Sequence, residues 1–319
     1  MKDSPARPVH PLLQMLLLVG LLVAGACLGS FVGVVLVKVS FGLNSEQLAA
    51  LATNPGPVPH GWASLTLLQG LQLGGAGTAV LLLPRLLKQG ADTYFAPRPV
   101  RGWWLLAAGG LIVCSVPLLS PLVSWNAGMH FPAFLHDFEE WSRAKEDQLA
   151  DLTKFLTTFN SAGRLLVGLV VIAVVPAVAE ELVFRGVLQR CLVQLTGSRH
   201  VGVWLAAAIF SAIHLQFFGF VPRFVLGLVL GYLYEWSGNI LVSMAAHFTQ
   251  NALQLVLIYL FQSHRLPSTF DPDSTAPLPW PAVLVSAALC AGLLYWLHQQ
   301  FTQVAPRPAP AAPVLPARS

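Results

Sequence analysis

Three short groups of polar residues interrupt apolar stretches in the second half of the chain, and the first contains two adjacent carboxylates, Glu180 and Glu181. Glu181 and Arg185 are four residues apart, in the acid-first order that favours an ion pair on one helix face. Glu180 lies about 100° further round that helix and has no local basic partner. An unpaired carboxylate in an apolar setting suits a general base or acid. An ion pair that only locks helices together would explain Glu181 and Arg185, but it would leave Glu180 unexplained.

Each of the other two groups contains a histidine with a partner four residues away. Phe210 precedes His214, and His247 precedes Asn251. A spacing of four puts both members of a pair on one side of a helix. A His–Asn pair can hold a metal ion or a water molecule and can offer an amide donor to a developing oxyanion. Polar residues that only hydrogen-bond a neighbouring membrane helix remain the alternative for each pair.

Composition indicates which elements position these groups. The 319 residues are 55% hydrophobic and only 10% charged, whereas soluble domains carry about 25% charged residues. This balance excludes a soluble globular protein, and it also excludes a disordered chain, which requires low hydrophobicity. The remaining fold class is an all-α, polytopic helical membrane protein. The four cysteines lie in apolar stretches without CxxC spacing, which argues against a disulfide framework or a thiolate zinc site.

The apolar stretches predict about eight transmembrane helices, because a bilayer core about 30 Å thick needs roughly 20 apolar residues per helix. Seven is the alternative, since the sixth stretch is short and shares one apolar region with the fifth. The first stretch is interpreted as a retained helix and not a signal peptide, because its apolar run is too long for a signal sequence. The expected bounds are 12–37, 63–87, 102–125, 165–189, 201–217, 221–235, 239–261 and 281–301.

Loop charge and composition predict the orientation and the regions of the chain. Residues 84–101 hold four basic residues and one acid, which favours cytoplasmic termini in a bacterial inner membrane. The net charge of +4 is therefore attributed to topology, and no nucleic-acid partner is expected. We expect three membrane helices in 1–125, an amphipathic extramembrane or interfacial segment in 126–162, and a four-helix core in 163–262. A loop, the last helix and a disordered Pro/Ala-rich tail follow in 263–319.

The three polar groups are expected to lie at similar membrane depth. At 1.5 Å per residue, Glu180 is about 13 Å before the end of its helix. His214 is about 20 Å after the start of the next helix, and His247 is about 12 Å into the seventh helix, which begins on the same side. The spacing therefore predicts one shared site.

The motifs Glu-Glu-x-x-x-Arg, Phe-x-x-x-His and His-x-x-x-Asn, in this order on successive membrane helices, resemble those of the CAAX protease and bacteriocin-processing family. These intramembrane proteases are also called CPBP or Abi proteins. The motifs stand at 180–185, 210–214 and 247–251, and the resemblance covers about residues 163–262. It implies an all-α core, a cavity open to the membrane and to one aqueous face, and hydrolysis of a peptide bond.

The same resemblance implies a role for each site residue. Glu180 would activate the attacking water, and Asn251 would stabilise the oxyanion. His214 and His247 would position that water or bind a metal. The expected catalytic residues are Glu180, Glu181, His214, His247 and Asn251, with Arg185 and Phe210 in support. Zinc is the candidate cofactor, with Glu180, His214 and His247 as ligands and a fourth position left for water, and a mechanism without metal would use Glu180 alone as the base.

Two other functions remain open at this stage. A non-catalytic membrane scaffold or immunity factor could keep the architecture without turnover, although it has no reason to bury an unpaired Glu180. A proton- or ion-coupled transporter could use buried Glu, Arg and His as a relay, but the inverted repeats common in transporters are not apparent in the sequence. The expected partners are the lipid bilayer and a membrane-associated peptide or protein substrate.

Overall fold

The computed structural model describes residues 9–96, 98–267 and 269–303, and the ordered elements in these ranges are helices. The predicted Pro/Ala-rich tail and the first eight residues lie outside the described residues. The expected all-α fold is confirmed. The α-helices are α1 (Pro11–Phe41), α2 (Ser45–Ala50), α3 (Gly61–Val80), α4 (Leu82–Leu86), α5 (Ala91–Phe95), α6 (Gly102–Ala127), α7 (His136–Leu156), α8 (Ala162–Gly168), α9 (Val175–Glu181), α10 (Arg190–Thr196), α11 (Arg199–Ala212), α12 (Phe220–Ser237), α13 (Ile240–Gln262) and α14 (Trp280–Thr302).

Seven helical stretches of the described chain are long and apolar enough to cross a membrane. They are Pro11–Phe41, Gly61–Leu86, Gly102–Ala127, Ala162–Thr196, Phe217–Ser237, Ile240–Gln262 and Trp280–Thr302. An eighth apolar helix, α11, has only 14 residues. Helices suit these sequences because hydrocarbon offers no partner to backbone N–H and C=O groups, which must bond within their own segment. The chain is therefore an integral membrane protein.

The prediction that the sixth apolar stretch, 221–235, is the short one was wrong. The fifth stretch, 201–217, forms the shorter helix, α11. Helix α11 ends at Ala212 instead of reaching 217, and Leu215 adopts a left-handed conformation with φ of 54°. The amide of Asn126 donates to the carbonyl of Phe217 at 3.2 Å, which holds the turn. Aromatic residues make this turn as apolar as a membrane helix, so hydrophobicity alone does not reveal it.

The helical stretch Ala162–Thr196 changes its winding on both sides of the two glutamates. Leu169–Val174 and Leu182–Gln189 are π-helical, and α9 lies between them. Single turns of π-helix inside longer helices occur frequently at functional sites. The wider winding sets the direction in which Glu180 and Glu181 leave the helix.

Small residues bring the N-terminal helices close to α9. A Cβ added at Gly25 or Gly29 of α1 would collide with the backbone of α3. A Cβ at Gly77 of α3 would lie 2.5 Å from the Cβ of Ala179, the residue before Glu180. The Gly-rich stretch 70–77 therefore forms a tight helix contact, and this contact supports the helix that carries Glu180.

The amphipathic helix predicted in 126–162 is present as α7, outside the seven spanning helices. Its Phe138 and Trp141 rings contact the ring of Phe217, with centroids 5.1 and 5.9 Å apart. Its Glu146 accepts a hydrogen bond from the backbone N–H of Phe218 at 3.0 Å. Helix α7 thus packs on the turn that follows His214.

Candidate active site

Glu180 lies between the two histidines that the sequence places on other helices. Its Oε2 is 4.0 Å from Nε2 of His214 and 3.8 Å from Nε2 of His247. Glu180 comes from α9, His247 from α13, and His214 from the turn that ends α11. The predicted convergence of the three groups is confirmed.

A buried ion pair lies directly behind this group. Nη1 of Arg185 donates to Oε1 of Glu181 at 2.7 Å, and the two side chains are 1% and 0% exposed. Nη2 of Arg185 donates to the carbonyl of Gly227 at 3.1 Å, which ties α12 to the pair. The predicted pairing is confirmed. A charge this deeply buried needs its partner, because removing either one leaves the other without solvation.

His247 connects the ion pair to Glu180, a link that the sequence pattern does not reveal. Nδ1 of His247 is 2.9 Å from Oε1 of Glu181, while its Nε2 faces Glu180. The sequence suggested only that Glu181 pairs with Arg185. The structure adds that Glu181 accepts from two side chains on different helices and so orients the imidazole of His247.

The hydrogen bonds at Nδ1 assign the tautomer of both histidines. Nδ1 of His214 is 2.7 Å from the carbonyl oxygen of Phe210. A carbonyl only accepts, so Nδ1 of His214 carries the hydrogen, and the carboxylate of Glu181 assigns the same tautomer to His247. Both Nε2 lone pairs then face the carboxylate of Glu180. Three electron-rich atoms at 3.8 to 4.0 Å leave room for a proton, a water molecule or a cation between them.

Phe210 packs at the centre of this arrangement. Its ring centroid is 5.1 Å from that of His214 and 5.9 Å from that of His247, and the guanidinium carbon of Arg185 lies 4.8 Å from it. Phe210 is fully buried. Its side chain excludes water from the ion pair, while its backbone carbonyl orients His214.

Asn251 lies one helical turn after His247, and its side-chain amide bonds a group other than Glu180 or the histidines. Its Nδ2 donates to the carbonyl of Ile172 at 3.3 Å. Pro176 has no N–H to offer the carbonyl four residues before it, which is that of Ile172. Pro176 therefore leaves this carbonyl free to accept from Asn251. The described contacts bring Glu180, His214 and His247 together, but they do not include Asn251 in that group.

The site is open to one side. The side chains of Glu180 and His214 are 21% and 28% exposed, whereas that of His247 is 4% exposed. Glu180 and His214 therefore form the exposed edge of the group, and His247 lies behind them.

Arg223 is a residue of this region that the sequence analysis did not assign to the site. Its Nη2 donates to Oε1 of Gln216 at 2.5 Å, and its Nη1 is buried without a hydrogen-bond partner among the described residues. The signal was present, because a charged residue inside an apolar helix is a functional candidate by default. The expected start of the helix at 221 placed Arg223 at a span end, where charge is ordinary.

The side chains around Glu180 carry donor atoms that a metal ion could use. Among the described residues, no group of three or more His, Cys, Asp or Glu side chains has the arrangement of a metal site. The donor chemistry nevertheless fits zinc, because both Nε2 atoms are available and both Nδ1 atoms bond acceptors, as zinc-binding histidines do. The predicted zinc ligation by Glu180, His214 and His247 stays a prediction.

Fold and site together define a polytopic helical membrane protein with a Glu–His–His group inside its bundle. Residues 162–253 match the family described as type II CAAX prenyl endopeptidase, Rce1-like. The resemblance to the CAAX protease family, inferred from the three motifs, is therefore confirmed for this segment of the chain. The matched segment begins with α8 and ends just after Asn251.

One curated relative adds sequence similarity without a described activity. The chain is 40% identical over 81 residues to the uncharacterized protein YpbD of Bacillus subtilis (strain 168). The aligned segment covers 24% of this chain and 38% of that protein, so the chain spans well under half the length of this relative. No solved structure matches the chain significantly.

Proposed function

We propose that the protein is an intramembrane endopeptidase that hydrolyses a peptide bond of a membrane-associated peptide or protein. The family supports a CAAX-protease-like function. The single observation that carries the proposal is the position of the Glu180 carboxylate within 4.0 Å of two histidine Nε2 atoms. A water molecule bound there can donate hydrogen bonds to these acceptors and direct a lone pair of its oxygen at a substrate carbonyl.

Glu180 acts as the general base in this mechanism. It takes a proton from the water as the oxygen attacks the scissile carbonyl carbon, and a tetrahedral oxyanion forms. The protonated Glu180 then gives its proton to the departing amide nitrogen as the carbon–nitrogen bond breaks. The products are a carboxylic acid and an amine, and Glu180 returns to its starting state.

Arg223 supplies positive charge for the oxyanion. Its Nη1, buried without a hydrogen-bond partner among the described residues, and its bond to Gln216, two residues after His214, support this role. Donors in a site shielded from water stabilise a developing negative charge more strongly than they would in solvent. Asn251 keeps one amide hydrogen beyond its bond to Ile172 and can add to the same stabilisation.

Glu181 and Arg185 are positioning residues. Glu181 orients His247 through Nδ1, and Arg185 keeps Glu181 ionised in a fully buried position. A zinc ion held by Glu180, His214 and His247 would supply Lewis-acid activation of water. The proposed setting is the bacterial inner membrane. Both termini lie in the cytoplasm if α11 makes an eighth crossing, because an even number of crossings returns the chain to its starting side.

Cleavage of a quenched fluorescent peptide by the purified full chain tests the proposal. Glu180→Gln removes the base while keeping the side-chain shape, and its rate should fall by about 10²- to 10⁴-fold. Glu46→Gln, at an exposed glutamate in α2, is the matched control and should cleave at the wild-type rate. Wild-type cleavage by folded Glu180→Gln protein would overturn the proposed mechanism.

The role of Arg223 has a separate kinetic test. Arg223→Gln should lower kcat about a hundredfold with little change in KM, because an oxyanion contact is made mainly in the transition state. Arg265→Gln, at an exposed arginine of the loop after α13, is the control. A raised KM with unchanged kcat would instead assign Arg223 to ground-state substrate binding.

A further inference from the structure

A second cavity lies at the other end of α11 from the candidate active site. It has a volume of about 540 Å³ and lies between the start of α11, the ends of α12 and α14, and the segment before α6. Arg199 and His200 begin α11, whereas His214 follows its last turn, so the two sites are about 20 Å apart along this helix. Nothing in the proposed hydrolysis uses this cavity.

Positive charge predominates in the cavity. Arg98 and Arg199 both line it, and Glu235 is its one acidic lining residue. Nε of Arg199 lies 3.3 Å from Oε1 of Glu235, and the Arg199 side chain remains 45% exposed. The first turn of α11 adds the partial positive charge of a helix N-terminus. Two guanidinium groups and a helix start against one carboxylate favour an anion.

His200 contributes a further donor. Nε1 of Trp204 donates to the hydroxyl oxygen of Tyr232 at 3.2 Å, because an indole N–H can only donate. Nδ1 of His200 lies 2.8 Å from the same hydroxyl oxygen. When the hydroxyl of Tyr232 donates to Nδ1, neutral His200 carries its hydrogen on Nε2 and can donate from that atom.

The surroundings of the cavity are those of a membrane–water interface. Trp236 packs on Tyr232 and His298, with ring centroids 5.3 and 5.0 Å away. Trp204, Tyr295 and Trp296 are exposed nearby along α11 and α14. Aromatic side chains concentrate at the level of lipid headgroups. Below them, the outward face of α11 is apolar, with Val201 and Leu205 more than 40% exposed.

We propose that this cavity binds the phosphate group of an anionic phospholipid. Arg199 and His200 contact the phosphate, the aromatic residues lie level with the headgroup, and the acyl chains follow the apolar face of α11. Basic pockets between membrane helices are known to bind anionic headgroups. The apolar face favours a lipid over free phosphate, because soluble phosphate would make no use of it.

Thermal unfolding of the purified full chain in a zwitterionic detergent tests the site. Phosphatidylglycerol should raise Tm in a saturable way, while equal amounts of phosphatidylcholine should not. Arg199→Gln should weaken the apparent affinity for phosphatidylglycerol by about tenfold or more, the loss expected for a charge-assisted hydrogen bond. Arg265→Gln, which removes an exposed arginine outside the cavity, should bind as the wild type does.

The Glu235→Gln variant is the control for a loss of binding in Arg199→Gln that would result only from a loss of folding. It removes the acidic group of the cavity, so binding of phosphatidylglycerol should stay equal or become tighter. If inorganic phosphate raised Tm as much as the lipid does, the cavity would still be a phosphate site, but its ligand would be free phosphate and not a phospholipid. An equal response to phosphatidylcholine, or unchanged binding in Arg199→Gln, would overturn the proposal. None of these outcomes depends on proteolytic activity.

Discussion

The buried pair of Glu181 and Arg185 allows the contributions of this site to folding and to catalysis to be separated. Both side chains are at most 1% exposed, so neither charge can be solvated if its partner is lost. Arg185→Met should therefore destabilise the fold by about 3–5 kcal/mol, the cost of an unpaired buried charge. Glu181→Leu should cost a similar amount, because it leaves the guanidinium of Arg185 buried and unpaired.

Removing both charges should restore the fold without restoring the reaction. Replacing a buried ion pair by apolar side chains of similar volume is often neutral or stabilising. The Glu181→Leu, Arg185→Met double variant should therefore unfold within about 2 kcal/mol of the wild type, far from the sum of the single effects. It should still be inactive, because Nδ1 of His247 has lost its acceptor.

A second double variant isolates the orientation of His247. Glu181→Gln with Arg185→Met also removes both charges, but the amide oxygen of Gln can still accept from Nδ1. It should match the first double variant in stability and recover part of kcat. Stability is followed by unfolding in mixed micelles with SDS, and activity by cleavage of a quenched peptide. Equal activity of the two double variants would refute the positioning role, and additive losses of stability would refute the ion-pair reasoning.

Three further predictions concern α7, the contact behind α9 and the metal. Hydrogen bonds from the backbone N–H of Phe131 and the side chain of Arg143 lower the pKa of Glu139 from its ordinary 4.5 to about 2. Its contribution to stability is therefore complete above pH 4.5 and is lost as the pH falls towards 2. The protection of backbone amides near the start of α7 against hydrogen exchange, relative to an unstructured peptide at the same pH, should fall over that range, and in Glu139→Gln it should be low at every pH. Gly77→Ala should push α9 away and lower kcat at least about tenfold, whereas Gly74→Ala, with nothing within 4 Å of the added Cβ, should leave kcat unchanged. If zinc takes part, chelation should abolish activity and His247→Ala protein should lose the metal in elemental analysis; full activity with a metal stoichiometry near zero would remove zinc from the mechanism.

Much of the candidate site could be predicted because its signals are local. The ion pair of Glu181 and Arg185 follows from a spacing of four on one helix, and it is present at 2.7 Å. The convergence of Glu180 with the two histidines follows from a fixed rise per residue and alternating helix directions. The position of α7 in the sequence also followed from its charge and its aromatic spacing.

Other features depended on contacts between distant segments. Hydrophobicity did not reveal the turn after Ala212, because Phe217 and Phe218 are apolar residues that pack on α7 instead of on lipid. Arg223 was overlooked because it lies in the first turn of α12, where a charged residue is ordinary, and only the structure shows that its Nη1 is buried. Asn251 was expected beside the reacting atoms, yet its described bond is to Ile172.

The sequence by itself determined the membrane class, the family motifs and the residues available for chemistry. Helix periodicity and apolar length are properties of neighbouring residues, so they can be read without a fold. Only the tertiary structure decided that His247 bonds Glu181 while facing Glu180, and that both histidines direct Nε2 towards Glu180. These relations depend on how the helices that carry the site pack against their neighbours. α9 is held by close contacts such as that of Ala179 with Gly77 of α3, which join segments about a hundred residues apart.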